Sequence, residues 1–418
     1  MNRRQRARGP HGSAVLAAFL GVASSGAVHA QAAAPQWHGY AEVRVGHAGG
    51  DDRTWRDGGL GKARFGDGGS GVEPAAVLAM AWQFAPAWLA SAQLQYQDGQ
   101  RRPFGVLDAW VRWRPVSTTP WRWSVRAGAF FPPVSLENDG LGWTSPWTLT
   151  PSAIDSWVGE ELRATGTEFA IEHRSGEATW RGVAAAFDHN DPAGDLLASR
   201  GWAMGDVTSA LDAELREPDV YAGNARVPAP VVFRPFTEID HRIGWYAGLS
   251  RDGAGGSLLS LLRYDNRGDP TAWEWQGARK VFAWHTRFWS AAARGQAGGV
   301  QWLAQAMDGA TAFEPREGLY LDTRFSAAYV LAAWERGNWQ PALRFDLFRA
   351  RQLPETLAAP LGEHGNAITA ALNWRPRDGL RITGELLRID STRHQRTLEG
   401  LSPRQSGLQA QVGVRVSF

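Results

Sequence analysis

The chain of 418 residues has no cysteine. That excludes thiol catalysis and a cysteine-based metal centre, and it fits export to an oxidising compartment without a disulfide framework. Lysine is almost missing as well: only Lys62 and Lys280 accompany the arginines. Beyond the N-terminus no stretch approaches the roughly 18 consecutive apolar residues of a membrane helix. No blade-length repeat recurs, which argues against a propeller. The histidines after residue 30 (His38, His47, His173, His189, His241, His285, His364 and His394) are scattered, with none paired at metal spacing and no Ser-rich motif beside one. A hydrolase needs an oriented base within reach of a nucleophile, so no enzyme is expected, and neither cofactor nor metal is called for.

The N-terminal segment reads as an address. Arg3, Arg4, Arg6 and Arg8 precede a short apolar run, Ala14 to Val22, and small residues lead to Val28-His29-Ala30. This is the three-part form of a secretory signal peptide, expected to span residues 1–30, and its apolar run is too short to cross a bilayer. Arg3-Arg4 lacks the following hydrophobic residues of a twin-arginine signal, so general secretion is expected. Of the 44 basic residues, four lie in this segment and no Asp or Glu does, which leaves 40 against 42 acidic ones, a net charge of −2. Nucleic acid is therefore not an expected partner.

What the chain does have is tryptophan, 22 of them, in an otherwise polar exported sequence. In the last residues, Leu408, Ala410, Val412, Val414, Val416 and Phe418 fall on one parity and Gln409, Gln411, Gly413, Arg415 and Ser417 on the other, the period-two pattern of a strand with one apolar face. Similar segments recur from Trp37 onward: 37–47, 74–84, 88–98, 105–114, 121–131, 165–174, 178–188, 241–251, 257–266, 279–292, 299–308, 320–334, 339–350, 366–375, 380–390 and 406–418. Tight Gly, Asn, Asp and Pro turns alternate with longer connections, at 48–73, 99–104, 132–164, 189–240, 267–278, 309–319, 351–365 and 391–405. Trp brackets several short turns, as in Trp82/Trp88, Trp113/Trp121 and Trp334/Trp339. Short turns on one side, long loops on the other and aromatics at the interface predict an all-β fold, a 16-stranded antiparallel transmembrane β-barrel over residues 31–418. Fourteen or eighteen strands are also compatible. Around Ala184, Leu261 and Val330 both parities are apolar, so either those inner faces pack on an infolded loop or the faces are wrongly drawn.

Phe418, with apolar residues at alternate positions before it, resembles the C-terminal assembly signal of bacterial outer-membrane β-barrels. Val125 to Phe131 followed by Pro132, Pro133, Val134, Ser135, Leu136 and Glu137 is similar to the equivalent part of the phosphate-selective porin family, and the strand pattern resembles porins generally. The resemblance implies a multi-pass protein of the bacterial outer membrane, a trimer, partnered by lipid and by the barrel assembly machinery. It implies that 132–164 is an infolded constriction loop, with 189–240 a long extracellular loop. Because that family uses many lysines, phosphate selectivity does not carry over.

A barrel this wide leaves an aqueous channel unless something fills it. The 132–164 loop is acidic, with Glu137, Asp139, Asp155, Glu160 and Glu161, and the adjacent wall places Arg112, Arg126 and, nearer the periplasmic rim, Arg114 and Arg122 inward. Opposed charges across water would set a transverse field that tunes which small hydrophilic solutes or ions pass. The plainer alternative is that these arginines pair with Glu168 and Glu172 on the next strand. Trp143, Trp147 and Trp157 either stack on sugar rings or anchor the loop. Asp206 to Leu215 is read as a short helix. Asp188, Asn190, Asp191 and Asp195 have part of a calcium-loop spacing, but Pro192 and Ala193 replace a ligand and the Gly, so a solvated loop is expected. The expected function is a porin for passive diffusion. A polysaccharide export or binding barrel and an outer-membrane enzyme are the alternatives.

Overall fold

The computed structural model describes residues 34–50, 53–66, 68–221, 230–277, 279–354 and 362–418; the expected signal peptide lies outside them. Sixteen antiparallel strands close into one barrel. They are β1 Gln36–Gly49, β2 Ser70–Ala85, β3 Trp88–Gln97, β4 Phe104–Trp113, β5 Trp121–Phe130, β6 Ala164–Ser175, β7 Ala178–Asp188, β8 Gly244–Asp252, β9 Leu258–Asp265, β10 His285–Ala297, β11 Val300–Arg316, β12 Leu319–Trp334, β13 Trp339–Leu353, β14 Gly362–Arg377, β15 Leu380–Arg393 and β16 Arg404–Ser417.

Closure is made by β16 on β1, in a register that pairs Val43 with Val414 and Val45 with Val412. Beyond the last strand Phe418 adds two more bonds: its N–H donates to the Gly39 carbonyl and its carbonyl accepts from Gly39 N–H, both at 3.0 Å. The edge that the final strand would otherwise expose is thereby removed. Alternation decides which way each residue points. Leu408, Val412, Val414 and Val416 are exposed outward, while Gln409, Gln411 and Arg415 are buried inward. At the short-turn end the outward tryptophans meet one another, Trp88 with Trp113 at 6.3 Å, Trp113 with Trp123 at 4.6 Å and Trp339 with Trp374 at 5.6 Å between ring centroids. They form the interfacial girdle of a membrane barrel.

Three expected boundaries are corrected. The tenth strand begins at His285, not 279, because Trp273–Gln276 and Arg279–Phe282 form a separate hairpin whose Val281 packs with Leu196, Leu215 and Phe233. The connection at 309–319 is a tight turn, since β11 and β12 continue pairing to Arg316 and Leu319. The fifth strand ends at Phe130, one residue earlier than expected, and Phe131 stacks on Trp143 with ring centroids 4.1 Å apart.

The doubly apolar strands have a physical cause. Segment 131–163, between β5 and β6, folds inward and carries the helix α1, Ala153–Glu161, every residue of which is buried. Trp157 of α1 meets Phe288 of β10 and Phe325 of β12 at 5.6 and 5.2 Å. The inward apolar residues of β9 to β12 are buried with this helix, Leu262, Leu303, Tyr329, Leu331 and Trp157 belonging to one cluster, while Gln305, Arg344 and Asp346 on the same inner wall bond to segment 131–163.

Candidate functional site

The lumen is shaped by two inward segments. The first is 131–163. The second follows β7: a short helix α2, Asp195–Ser199, leads into 200–215, where Trp202, Met204, Ser209 and Ala210 are buried. The helix expected over 206–215 is not there; this part runs extended against the wall, Gln95 Nε2 donating to the Thr208 carbonyl at 2.6 Å and Gln97 Nε2 to the Asp206 carbonyl at 2.8 Å.

Four of the five loop carboxylates do not face a water-filled gap. Glu137 is fully buried, accepts from Arg344 Nη1 at 2.6 Å, from the Thr148 hydroxyl at 3.0 Å and from Ser152 N–H at 2.9 Å. Asp155 accepts from the hydroxyl of Ser152, the residue whose own oxygen caps the start of α1. Glu160 pairs with Arg200. Glu161, at the end of α1, accepts from Trp157 Nε1 at 2.5 Å and from the N–H groups of Leu196 and Leu197 at the start of α2, at 2.9 and 3.4 Å. It joins the two inward helices, and burial pushes its carboxyl up to about 8 against the pull of those donors. Glu137, Glu160 and Glu161 each find a basic or N–H partner from a segment distant in the chain, which the sequence hides, so their burial costs less than it would for an unpaired charge. Asp155 is held instead by the hydroxyl of Ser152, in its own segment. Asp139 is the exception. It projects into the lumen, its side chain 57% exposed, 3.9 Å from Arg294 of β10.

Between Asp139 and the opposite wall the chain crosses the barrel, Gly142 N–H donating to Gln93 Oε1 of β3 at 2.9 Å. The inward residues of the periplasmic half of β4 to β10 stay in contact with water, and their chemistry is arginine. Arg126 donates to Glu168 at 3.0 Å and Arg114 to Glu172 at 3.2 Å; Arg181 lies 3.6 Å from Glu168 and 3.9 Å from Glu172. The pairing alternative therefore describes Arg114 and Arg126. It does not describe Arg112 and Arg122, which have no ion pair among the described residues and are half-buried on the same wall. Arg112 stands directly opposite Arg126 across the β4–β5 ladder, and both guanidinium groups approach the ring of Trp110, at 5.9 and 5.6 Å. Glu168 offsets the charge of Arg126, and Arg112 beside it leaves a local positive field on this wall. Sequence reasoning missed Arg181, Arg294 and Trp110, although their inward parity was legible once the strands were drawn.

The loop tryptophans anchor. Trp147 and Trp157 are buried, and Trp143 is held on Phe131, over whose other surroundings Arg163 lies with its guanidinium carbon 3.3 Å from the ring centre. Neither lysine lines the lumen: Lys62 is buried against Glu363 at 2.7 Å and Lys280 rests 3.8 Å over the Trp273 ring in the outer hairpin. The stretch from Asp188 to Asp195 is not a solvated loop. Asn190, Asp191 and Asp195 are buried, Asn190 accepting from Tyr264 OH at 2.7 Å and Asp195 pairing with Arg279 at 3.0 Å. Carboxylates of Asp191, Glu238 and Asp240 converge within 4.8 Å, as do donor atoms of Asp188, His189 and Glu238. Asp191, however, is already served by the N–H groups of Ile239 and Asp240, at 2.5 and 3.1 Å, so the cluster closes the loop on itself. The one Ser–His contact, His47 Nδ1 to Ser70 Oγ at 2.9 Å, is on the outward face with no acid orienting the ring among the described residues.

An even-stranded closed barrel with an apolar outer face, an aromatic girdle and a polar interior is a bacterial outer-membrane protein of porin architecture. No family model and no curated protein matches the sequence. Solved structures do. The outer-membrane channel DcaP of Acinetobacter baumannii is 10% identical over 92% of this chain and 97% of its own, with a TM-score of 0.53. OmpF of Salmonella typhi, solved with daunomycin, is 10% identical over 92% and 97%, at 0.52. The trimer form of OmpT, an outer membrane protein of Vibrio cholerae, is 8% identical over 92% and 100%, at 0.51. At such identities the likeness is one of fold.

Proposed function

We propose that the mature chain is a porin that lets small hydrophilic solutes and ions diffuse passively along an eccentric, arginine-lined path, with a preference for anions. The observation that carries this reading is the pair Arg112 and Arg122, two lumen guanidinium groups without a carboxylate partner among the described residues. Arg114, Arg126, Arg181 and Arg294 add to them against Glu168, Glu172, Asp139 and Asp252, and Asp139 marks the loop edge of the constriction. Arginine suits the task because it stays charged at every pH the channel meets. With both lysines engaged elsewhere, a broad anion preference is favoured over selectivity for phosphate. Residues 1–30 are taken to be removed on export, Phe418 to serve as the assembly signal, and small outward residues such as Ala90, Ala92 and Ala127 to admit a neighbouring copy in a trimer.

The test is single-channel recording of the refolded mature chain in planar bilayers under a salt gradient. Open steps with a reversal potential of anionic sign are expected, shifting toward cations in Arg112→Ser/Arg122→Ser. A closed barrel would refute the diffusion channel, and a reversal potential indifferent to both arginines would refute the path.

A further inference from the structure

The outward face of β11 to β15 departs from the apolar pattern near its extracellular end. On β12, β13 and β14, Arg324, Arg349 and His364 point outward, each ten residues above a girdle tryptophan: Trp334, Trp339 and Trp374 respectively. Ten strand residues span about 33 Å, and at a tilt of about 40° this is a height of about 25 Å, the thickness of the apolar band of such a barrel. The three basic side chains are therefore level with the outer headgroup layer. They are neighbours in space, since Arg349 pairs with His364 across one ladder and Ser326, two residues from Arg324, pairs with Arg349 across the other. Arg324 is 71% exposed with Asp322 no nearer than 3.8 Å, and the Arg349 guanidinium has no ion pair among the described residues.

Directly beneath the basic rim the wall is concave. A groove of about 680 Å³ is floored by Ala291, Ala306, Ala328, Ser326 and Leu347 and bounded by Arg349 and His364. Its small side chains leave a furrow between larger neighbours, wide enough for a hydrocarbon chain. Asp308 lines its other flank: it pairs with Ser326 across one ladder as Arg349 does across the next, so it lies two strands from Arg349 and offsets part of the basic charge, leaving the two arginines in excess. We propose that this face is a binding site for a phosphate-bearing lipid of the outer leaflet. The phosphate sits among Arg324, Arg349 and His364, and one acyl chain lies in the groove. Basic side chains at a membrane surface each add to the attraction for an anionic headgroup, and the apolar floor supplies the remainder.

Detergent-purified, folded protein titrated with phosphatidylglycerol, with phosphatidylcholine as the comparison lipid, tests this by native mass spectrometry. Phosphatidylglycerol is expected to bind tighter than phosphatidylcholine, and Arg324→Ser/Arg349→Ser to weaken it by about 30-fold. Arg324→Lys/Arg349→Lys should retain binding within about threefold, because a lysine at the same height keeps the charge. Heat-modifiable migration on gels confirms that each variant is a folded barrel. Equal binding of the two lipids, an unchanged serine variant, or a lysine variant as weak as the serine one would overturn the proposal. So would efficient disulfide formation between two copies of Ser326→Cys, which would assign the face to a second copy of this chain.

Discussion

Arg344 of β13 is the residue on which the inward position of 131–163 depends. It is fully buried, and its donors reach Glu137 at 2.6 Å, Asp346 at 2.8 Å, the Thr150 and Pro151 carbonyls at 2.8 and 3.0 Å, Thr148 at 3.2 Å and Thr369 at 3.1 Å. Four of those six acceptors belong to the inward segment. Arg344→Met keeps the volume and removes every donor, leaving Glu137 and Asp346 as buried carboxylates without their counter-charge. Breaking one side of a buried ion pair costs about 3–5 kcal/mol, and orphaned carbonyls add about 1–3 kcal/mol each unless water enters. Relaxation will recover part of this by releasing the segment from the wall. The expected outcome is a loss of about 4 kcal/mol in urea unfolding of the refolded barrel, together with larger and noisier conductance steps. Arg344→Met combined with Glu137→Gln and Asp346→Asn should recover more than half of the stability, because the stranded charges are gone. If Arg344→Met alone unfolds like the parent and conducts in the same discrete steps, the network is not what holds the segment, and the reasoning fails.

Other outcomes follow from single groups. Glu161 has its carboxyl raised to about 8 by burial, above its ordinary value of 4.5. Its contribution is thus fully present below about 4.5 and lost as pH rises through about 8, so amide exchange of 153–161 and 195–199 should quicken across that window and be flat in Glu161→Gln. Gly194 sits at φ +99°, where a Cβ would press within 2.6 Å of the Thr286 hydroxyl and into Thr311. Gly194→Ala is expected to cost about 1–3 kcal/mol, read as a lower urea midpoint, and a neutral result would show that this turn yields freely. Deleting Phe418 removes both bonds to Gly39 and should lower the folded fraction in assembly assays several-fold, while leaving the conductance of molecules that do fold unchanged.

Much of the architecture is local information. The parity of Leu408 to Phe418, the glycine-rich turns and the Trp pairs beside them each state a period, a reversal or an interface without reference to the rest of the chain, and a closed ring then requires their number to be even. The sequence therefore determined the barrel, an even strand count near sixteen and the inward arginines Arg112, Arg114, Arg122 and Arg126, and closure of the ring fixed the count at sixteen. It could not determine what those side chains meet. Glu137 and Arg344 are 207 positions apart, and Lys62 and Glu363 are 301 apart. An acidic loop looks the same in sequence whether its carboxylates face water or are matched to distant donors, and only the way 131–163 and 195–215 lie against the wall decides it. The tertiary structure buried Glu137, Asp155, Glu160 and Glu161 in partnered sites and left Asp139 alone on the lumen. Among the described residues it also left Arg112 and Arg122 without carboxylates, because burial and charge pairing are properties of the closed ring and its contents, not of any one strand.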